Sequence, residues 1–312
     1  MNNKVKGYLL GAVAAASYGT NPLFALPLYA EGFSPDSVLF FRYLFALPIL
    51  AFMLKWRGHS FRISRADLVP LVILGLIFAL SSLSLFQSYN YMDAGIASTI
   101  LFVYPIMVAV IMAMFFHEKL TIQTMLCLLM AIGGIGLLYQ NEDGATLSFV
   151  GTMIVFLSSL SYAIYIVAIN KTRLHDMVTL KVTFYVVLFG WFLFAGRTLI
   201  SGELQVPQSN DWWQWGNLIA LAVMPTAISL LCTTGAIQYI GSTPTAILGA
   251  LEPVTAVFFG VTVFGEQLTM RSTLGLILII VAVTIVVAGG GITKHLVRFR
   301  KLFPRIIKKV KR

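Results

Sequence analysis

Residues 91–121 read YMDAGIASTILFVYPIMVAVIMAMFFHEKLT, and residues 239–269 read YIGSTPTAILGALEPVTAVFFGVTVFGEQLT. Laid over one another at an offset of 148 and without a gap, they align Pro105 with Pro253, Phe116 with Phe264, Glu118 with Glu266, Leu120 with Leu268 and Thr121 with Thr269. Each stretch is an apolar run interrupted by proline near its middle and closed by Glu-x-Leu-Thr. An offset of 144 likewise superposes Gly7, Ser17 and Tyr18 on Gly151, Ser161 and Tyr162. The chain therefore reads as one unit used twice, and its architecture depends on how many helices that unit holds.

Composition fixes the solvent in which those helices lie. Of 312 residues, 58% are hydrophobic and 11% charged, against roughly 45–50% and about 25% in soluble domains. With a mean hydropathy of +0.87, too little polar surface remains to coat a buried core, so the bilayer is the expected environment. Ten segments approach the roughly 20 apolar residues of a crossing helix: 6–28, 35–55, 67–90, 94–116, 121–140, 147–169, 177–199, 215–238, 242–264 and 271–291. Lys4 and Lys6 ahead of an apolar stretch with Ala14 to Ala16 resemble a secretory signal. Nine further spans favour a retained first helix.

Charge placement tests the count. With the N-terminus inside, eighteen basic residues fall on the inner side, including nine in the tail KHLVRFRKLFPRIIKKVKR, and only Arg197 and Arg271 fall outside. Glu31, Asp36, Asp93, Glu142, Asp143, Glu203, Asp211 and Glu266 lie outside. Ten spans with both termini cytoplasmic satisfy the positive-inside rule. The expected class is thus an all-α polytopic membrane protein of ten transmembrane helices: a five-helix repeat at 1–143, another at 144–291 and a basic cytoplasmic tail at 292–312. An odd number of crossings per repeat forces the two copies into opposite orientations, as in many secondary transporters. The tail is expected to meet anionic lipid headgroups rather than nucleic acid.

The Tyr-Gly-Thr-Asn-Pro at Tyr18 to Pro22, the Phe-Phe-Arg-Tyr around Arg42 and the two Glu-x-Leu-Thr motifs, each followed by a Gly-rich helix, resemble the EamA branch of the drug/metabolite transporter superfamily. The likeness covers residues 6–291. It implies a ten-helix, two-repeat permease, commonly an exporter of amino acids, other metabolites or drugs across the bacterial inner membrane. Gly260 to Glu266 reads GVTVFGE, where a second bulky residue often precedes the glycine, and the basic tail is long; neither departure bears on the fold.

Glu252 is the eleventh of 23 residues in its span, with about 15 Å of helix rise to either end. Carboxylates at such depth usually face a cavity in an ion or substrate pathway, and this one is placed to bind and release a proton. The competing role is to cap carbonyls freed by Pro253. Its repeat partner is Tyr104, ahead of Pro105. Arg42, about 11 Å deep, either holds an anionic group of the substrate through its planar fork or is a snorkelling or Glu-paired structural residue. Lys181, near a span end, is expected to anchor at the interface.

Tyr18, Asn21, Gln87, Asn90, Tyr162, Tyr165, Asn170 and Gln238 are polar groups on apolar helices. Each either bonds helix to helix or lines the cavity, with Tyr18, Asn21, Gln87 and Tyr162 the binding candidates. Asn21-Pro22 is expected to break the first helix. Trp212, Trp213 and Trp215 fit a headgroup belt, while mid-helix Trp191 either packs or stacks on a planar substrate. Gly133, Gly134 and Gly136, with Gly289 to Gly291 in the other half, mark close helix approach, either between the repeats or in a homodimer.

Cys127 and Cys232 lie in apolar runs, and no loop carries cysteine, so neither a disulfide framework nor a metal site is expected. The four histidines have no zinc spacing and no Gly-x-Ser-x-Gly occurs, so an enzyme is not expected, nor any cofactor. What remains is a permease exporting a small metabolite or drug by alternating access with proton coupling. Import or facilitated movement on the same fold, and a channel-like or non-transport membrane protein, are the alternatives.

Overall fold

The structure is a computed structural model, and it describes residues 3–117, 122–138, 148–240, 248–249, 251–282 and 284–285. The described chain is helical: α1 Asn3–Gly19, α2 Asn21–Ala30, α3 Pro35–Trp56, α4 Arg65–Ser88, α5 Ala94–Leu101, α6 Tyr104–Phe116, α7 Ile122–Leu138, α8 Phe149–Lys171, α9 Thr179–Ser201, α10 Trp212–Ala222, α11 Ser229–Ile240 and α12 Leu251–Phe264. Last comes α13 Met270–Ala282. Among the described residues, seven continuous or broken rods, including Asn3–Ala30, Ala94–Phe116 and Trp212–Thr233, are long and apolar enough to cross a bilayer, and α12 and α13 are shorter apolar helices. This is a multi-pass membrane protein. Phe52, Leu129 and Phe149 are about two-thirds exposed (66%, 64% and 65%), which water would penalise and lipid does not.

Local chemistry sets the helix ends. Ser34 precedes Pro35 and its hydroxyl accepts from the Ser37 N–H at 3.3 Å, a serine cap with proline in the first turn. Ser64, Ser148 and Asp211 cap α4, α8 and α10 in the same way. Gly202 closes α9 at φ 67°, the left-handed conformation glycine adopts without strain.

The breaks inside spans are also satisfied. Between α1 and α2, Thr20 Oγ1 donates to the Ser17 carbonyl at 2.6 Å and Asn21 Nδ2 to the Tyr18 carbonyl at 2.9 Å. Those side chains replace the backbone donors lost where Pro22 follows. Pro225 brings a similar solution at Val223–Ile228, which winds as a π-helix. The proline cannot donate to Leu221, and Thr226 Oγ1 does so instead at 3.1 Å.

Helix packing comes in matched pairs. α1 lies along α11, as α8 lies along α4; α4 packs on α9, as α10 packs on α3; α6 meets α8, as α12 meets α1. Two further contacts join counterpart spans directly: α3 with α9, and α5, in the first half of the α5–α6 span, with α12, the counterpart of α6. The α4–α9 crossing is close because it runs through Gly75, where a Cβ would lie 2.6 Å from Phe189 Cβ. In one respect a choice left open by sequence is narrowed: a Cβ at Gly134 would meet Ile279 Cγ1 at 2.7 Å and the Gly275 carbonyl at 2.9 Å, so this glycine serves packing of α7 on α13 within the chain. Gly289 to Gly291, Glu118, Leu120, Thr121, Glu142, Asp143 and the 292–312 tail lie outside the described residues, as do the side chains of Cys127, Asn170 and Gln238.

Candidate functional site

The two ends of the bundle differ. One, here the first end, carries residue 3 and the turns at 57–64 and 172–178; the second end carries 31–34, 89–93, 202–211 and 265–269. A cavity of about 330 Å³ lies between them, lined by α1, α3, α4, α6, α8, α9, the π-helical turn, α11 and α12. Its wall includes Gly11 on α1, Thr183 on α9 and Thr233 on α11, all displaced from mid-bundle towards the first end.

Tyr18, Arg42, Tyr104, Tyr162 and Glu252 all line this cavity. Arg42 is 6% exposed. Its Nε donates to Thr226 Oγ1 at 3.2 Å and its guanidinium lies 5.2 Å from the Phe86 ring centroid, a cation–π geometry. Beyond Nε, the guanidinium also meets the Tyr18 side chain in the cavity wall.

Glu252 sits in the first turn of α12 beside Pro253, its backbone N–H bonded to the Gly249 carbonyl at 2.9 Å. Pro253 is buried, and Pro22 and Pro105 lie in the first turns of α2 and α6, positions that tolerate proline. Tyr18 and Tyr104 lie within electrostatic reach of the Glu252 carboxylate.

An aromatic wall faces these charges. Tyr104 meets Tyr162 edge-on at 4.7 Å, Tyr162 stacks on Tyr165 at 5.9 Å, and Phe78 packs against Tyr165 at 5.0 Å. Tyr43 closes the row, its hydroxyl 2.8 Å from Ser82 Oγ. The result is a polar–aromatic chamber with a fixed cation, a carboxyl group and ring faces suited to a planar or cationic group.

Other sequence candidates lie elsewhere. Gln87 and Trp191 do not line the cavity. Trp191 packs against Phe40 at 5.7 Å, and its buried Nε1–H has no hydrogen-bond partner. Asn21 and Tyr18 line a second chamber of about 10 Å³, together with Tyr89, Ser98 and Glu252. Lys181 donates to the Arg62 carbonyl at the first end, consistent with an anchor. Sequence reasoning missed Tyr43, Phe78, Thr183 and Thr226; only Pro225 inside an apolar run signalled Thr226, whose hydroxyl serves both Leu221 and Arg42.

A model described as the EamA-like transporter family matches residues 5–140 and again residues 149–288. The chain belongs to the EamA-like transporter family. It is accordingly a membrane transporter of the drug/metabolite transporter superfamily, and not an enzyme. An uncharacterized transporter of Archaeoglobus fulgidus is 28% identical over 256 residues, covering 80% of this chain and 85% of that one. The uncharacterized transporter YcbK of Bacillus subtilis is 24% identical over 275 residues, 86% of this chain and 87% of its own. A solved crystal structure superposes with a TM-score of 0.65 over 93% of this chain and 98% of that one at 16% identity, a likeness of fold. In this EamA-like transporter each matched half contributes to the cavity: Tyr18, Arg42 and Tyr104 from the first, Tyr162, Thr226 and Glu252 from the second.

Proposed function

We propose that this EamA-like transporter is a ten-span permease of two inverted five-helix repeats, 1–143 and 144–291, that exports a small organic solute by alternating access. The matched packing of α1–α11 with α4–α8, and of α6–α8 with α1–α12, supports repeats related by a two-fold axis in the membrane plane. Both termini are cytoplasmic in this reading, on the charge distribution, and the membrane is the cell inner membrane. The first end then faces the cytoplasm, so the conformation is one that admits solute from inside. The basic tail rests on anionic headgroups.

The observation that carries this reading is the polar–aromatic cavity lined by Arg42 and Glu252, one from each half, together with stacked tyrosines. Arg42 would hold a carboxylate or other anionic group. Glu252 and the tyrosine faces would receive an ammonium or planar group, so an amino acid or a related zwitterion fits the chemistry. Export is coupled to protons at Glu252, which gives up its proton when the solute's cationic group replaces it. Tyr18, Tyr104 and Tyr162 shape the pocket; Asn21, Gln87 and Trp191 act from its margin.

The test compares metabolites inside and outside cells carrying the native protein or Glu252→Gln. A metabolite accumulating outside only with the native protein supports export and names the substrate class. Selective accumulation inside reverses the direction, and transport by Glu252→Gln with unchanged rate and pH dependence removes Glu252 from coupling.

A further inference from the structure

Glu252 borders two compartments. On one side is the 330 Å³ cavity; on the other is the 10 Å³ chamber, walled by Tyr18, Asn21, Tyr89 and Ser98. The chamber lies towards the second end, since Tyr89 caps the C-terminus of α4 and Ser98 is in the second turn of α5. Its volume is about that of one water-sized probe.

Among the described residues, two of the chamber's polar atoms are poorly satisfied. Asn21 is 2% exposed, and its Nδ2 is committed to the Tyr18 carbonyl at 2.9 Å. That bond fixes the amide so that Oδ1 is a pure acceptor, and Oδ1 has no hydrogen bond. Tyr89, 8% exposed, has its hydroxyl against the Ser98 side chain, near enough to interact but without a bond of full geometry. A buried acceptor with no partner, beside a hydroxyl with no bond of full geometry, is costly unless something bonds both. A water molecule meets the demand: it donates to Asn21 Oδ1 and to Glu252, and accepts from the hydroxyls of Tyr89 and Ser98.

We propose that Asn21, Tyr89 and Ser98 hold one water molecule against the second-end side of Glu252, and that this water carries the proton between Glu252 and the second end. The inference rests on the proton-coupled reading of Glu252. In the transfer, with the second end open, the chamber water takes a proton from bulk water there, and one of its O–H bonds breaks as its proton joins the Glu252 carboxylate. The chamber oxygen is left as neutral water and Glu252 as the protonated acid, which gives that proton up into the large cavity when the next solute's cationic group replaces it. No electron is transferred. Solute thus reaches Glu252 from the large cavity while the proton arrives by the small chamber. The other ionisable groups facing Glu252 are Tyr18 on α1, Arg42 on α3, Tyr104 on α6 and Tyr162 on α8, and none of these walls the chamber except Tyr18.

The test is infrared difference spectroscopy of the full chain in lipid, in which the protonated Glu252 C=O band is the one missing from Glu252→Gln. In Tyr89→Phe, and in Asn21→Ala as a second variant, the band is expected to move to the frequency of a more weakly hydrogen-bonded acid. Its hydrogen–deuterium exchange should slow about tenfold, as for one lost hydrogen-bonding step. Tyr89→Phe keeps the ring and so keeps the answer available if Asn21→Ala misfolds. An unmoved band with native exchange in Tyr89→Phe overturns the proposal while leaving Glu252 a proton carrier. A band that shifts when sodium replaces potassium overturns it in favour of a bound cation. No band lost in Glu252→Gln at any pH overturns the proton reading itself.

Discussion

Arg42 Nε donates a 3.2 Å hydrogen bond to Thr226 Oγ1, joining residues 184 positions apart and one from each matched half. The bond depends on the π-helical turn that Pro225 imposes, because the same hydroxyl donates to Leu221. Thr226→Val keeps the shape and removes both bonds. It should leave Arg42 less well oriented and weaken affinity for an anionic solute by about tenfold, the worth of roughly 1.4 kcal/mol. Arg42→Lys, which keeps charge but loses the fork, should weaken it further. Binding titrations with the exported solute check this, and native affinity in both variants would remove Arg42 from the site.

At the second end Asp36 takes Arg197 bidentately, Nε to Oδ1 at 2.6 Å and Nη2 to Oδ2 at 3.0 Å, where Nε and Nη2 belong to Arg197. The pair ties the start of α3 to the end of α9, helped by Gln205, whose Nε2 donates to the Gly32 carbonyl at 2.7 Å. The Arg197 side chain is 50% exposed, so the pair contributes under about 1 kcal/mol. A double-mutant cycle of Asp36→Asn and Arg197→Gln in thermal unfolding should show a coupling of that size that shrinks in high salt. A coupling indifferent to salt would mean that the pair acts as if buried.

How far the sequence discloses this molecule depends on the kind of residue. Glu252 and Arg42 stand out because a charge in an apolar run is rare and must face something polar. The ten segments stand out because the bilayer demands length and apolarity, and each has a helix in the described structure. Tyr43, Phe78 and Thr183 do not stand out. Every face of their helices is apolar or aromatic, so periodicity carries no information about which face meets the cavity. Gln87 and Trp191 show the converse: polarity in a span marked them, yet they lie away from the cavity. Thr226 was hidden because its role comes from a backbone irregularity that only Pro225 announced.

The Glu266 carboxylate accepts from the Ala94 N–H at 2.9 Å and the Gly95 N–H at 3.4 Å, capping α5 from the other half of the chain. The adjacent Asp93 makes no cap of its own. Burial, and then the Asp93 charge, push the Glu266 pKa above the ordinary carboxylate value, with the two N–H bonds opposing; burial raises Asp93 as well. An acid raised in the folded state binds more protons folded than unfolded, so stability falls as pH climbs from the ordinary carboxylate pKa through the raised one. Asp93→Asn removes the like charge and should flatten that fall, stabilising the protein near neutral pH by a few tenths to about 1 kcal/mol. Glu266→Gln also removes the titration but weakens the cap, and should lower the melting temperature at neutral pH. Melting curves between pH 4 and about 8 distinguish them; a pH profile unchanged in both variants would show that the pair does not titrate during unfolding.

The stripe Gly133, Gly134 and Gly136 separates packing from mere composition, because its members meet different surroundings. At Gly134 a methyl would press on Ile279 and on the Gly275 backbone, and backbone cannot step aside. At Gly136 nothing lies within 4 Å. Gly134→Ala should therefore drive α7 and α13 apart at a cost of about 1–3 kcal/mol. Gly136→Ala should be neutral or stabilise by up to about 1 kcal/mol through helix propensity. If the stripe instead served a dimer, Gly136→Ala would be the damaging change, and it would shift the protein towards monomer in detergent. Thermal unfolding and light scattering on the two variants side by side decide between an internal seam and an external one.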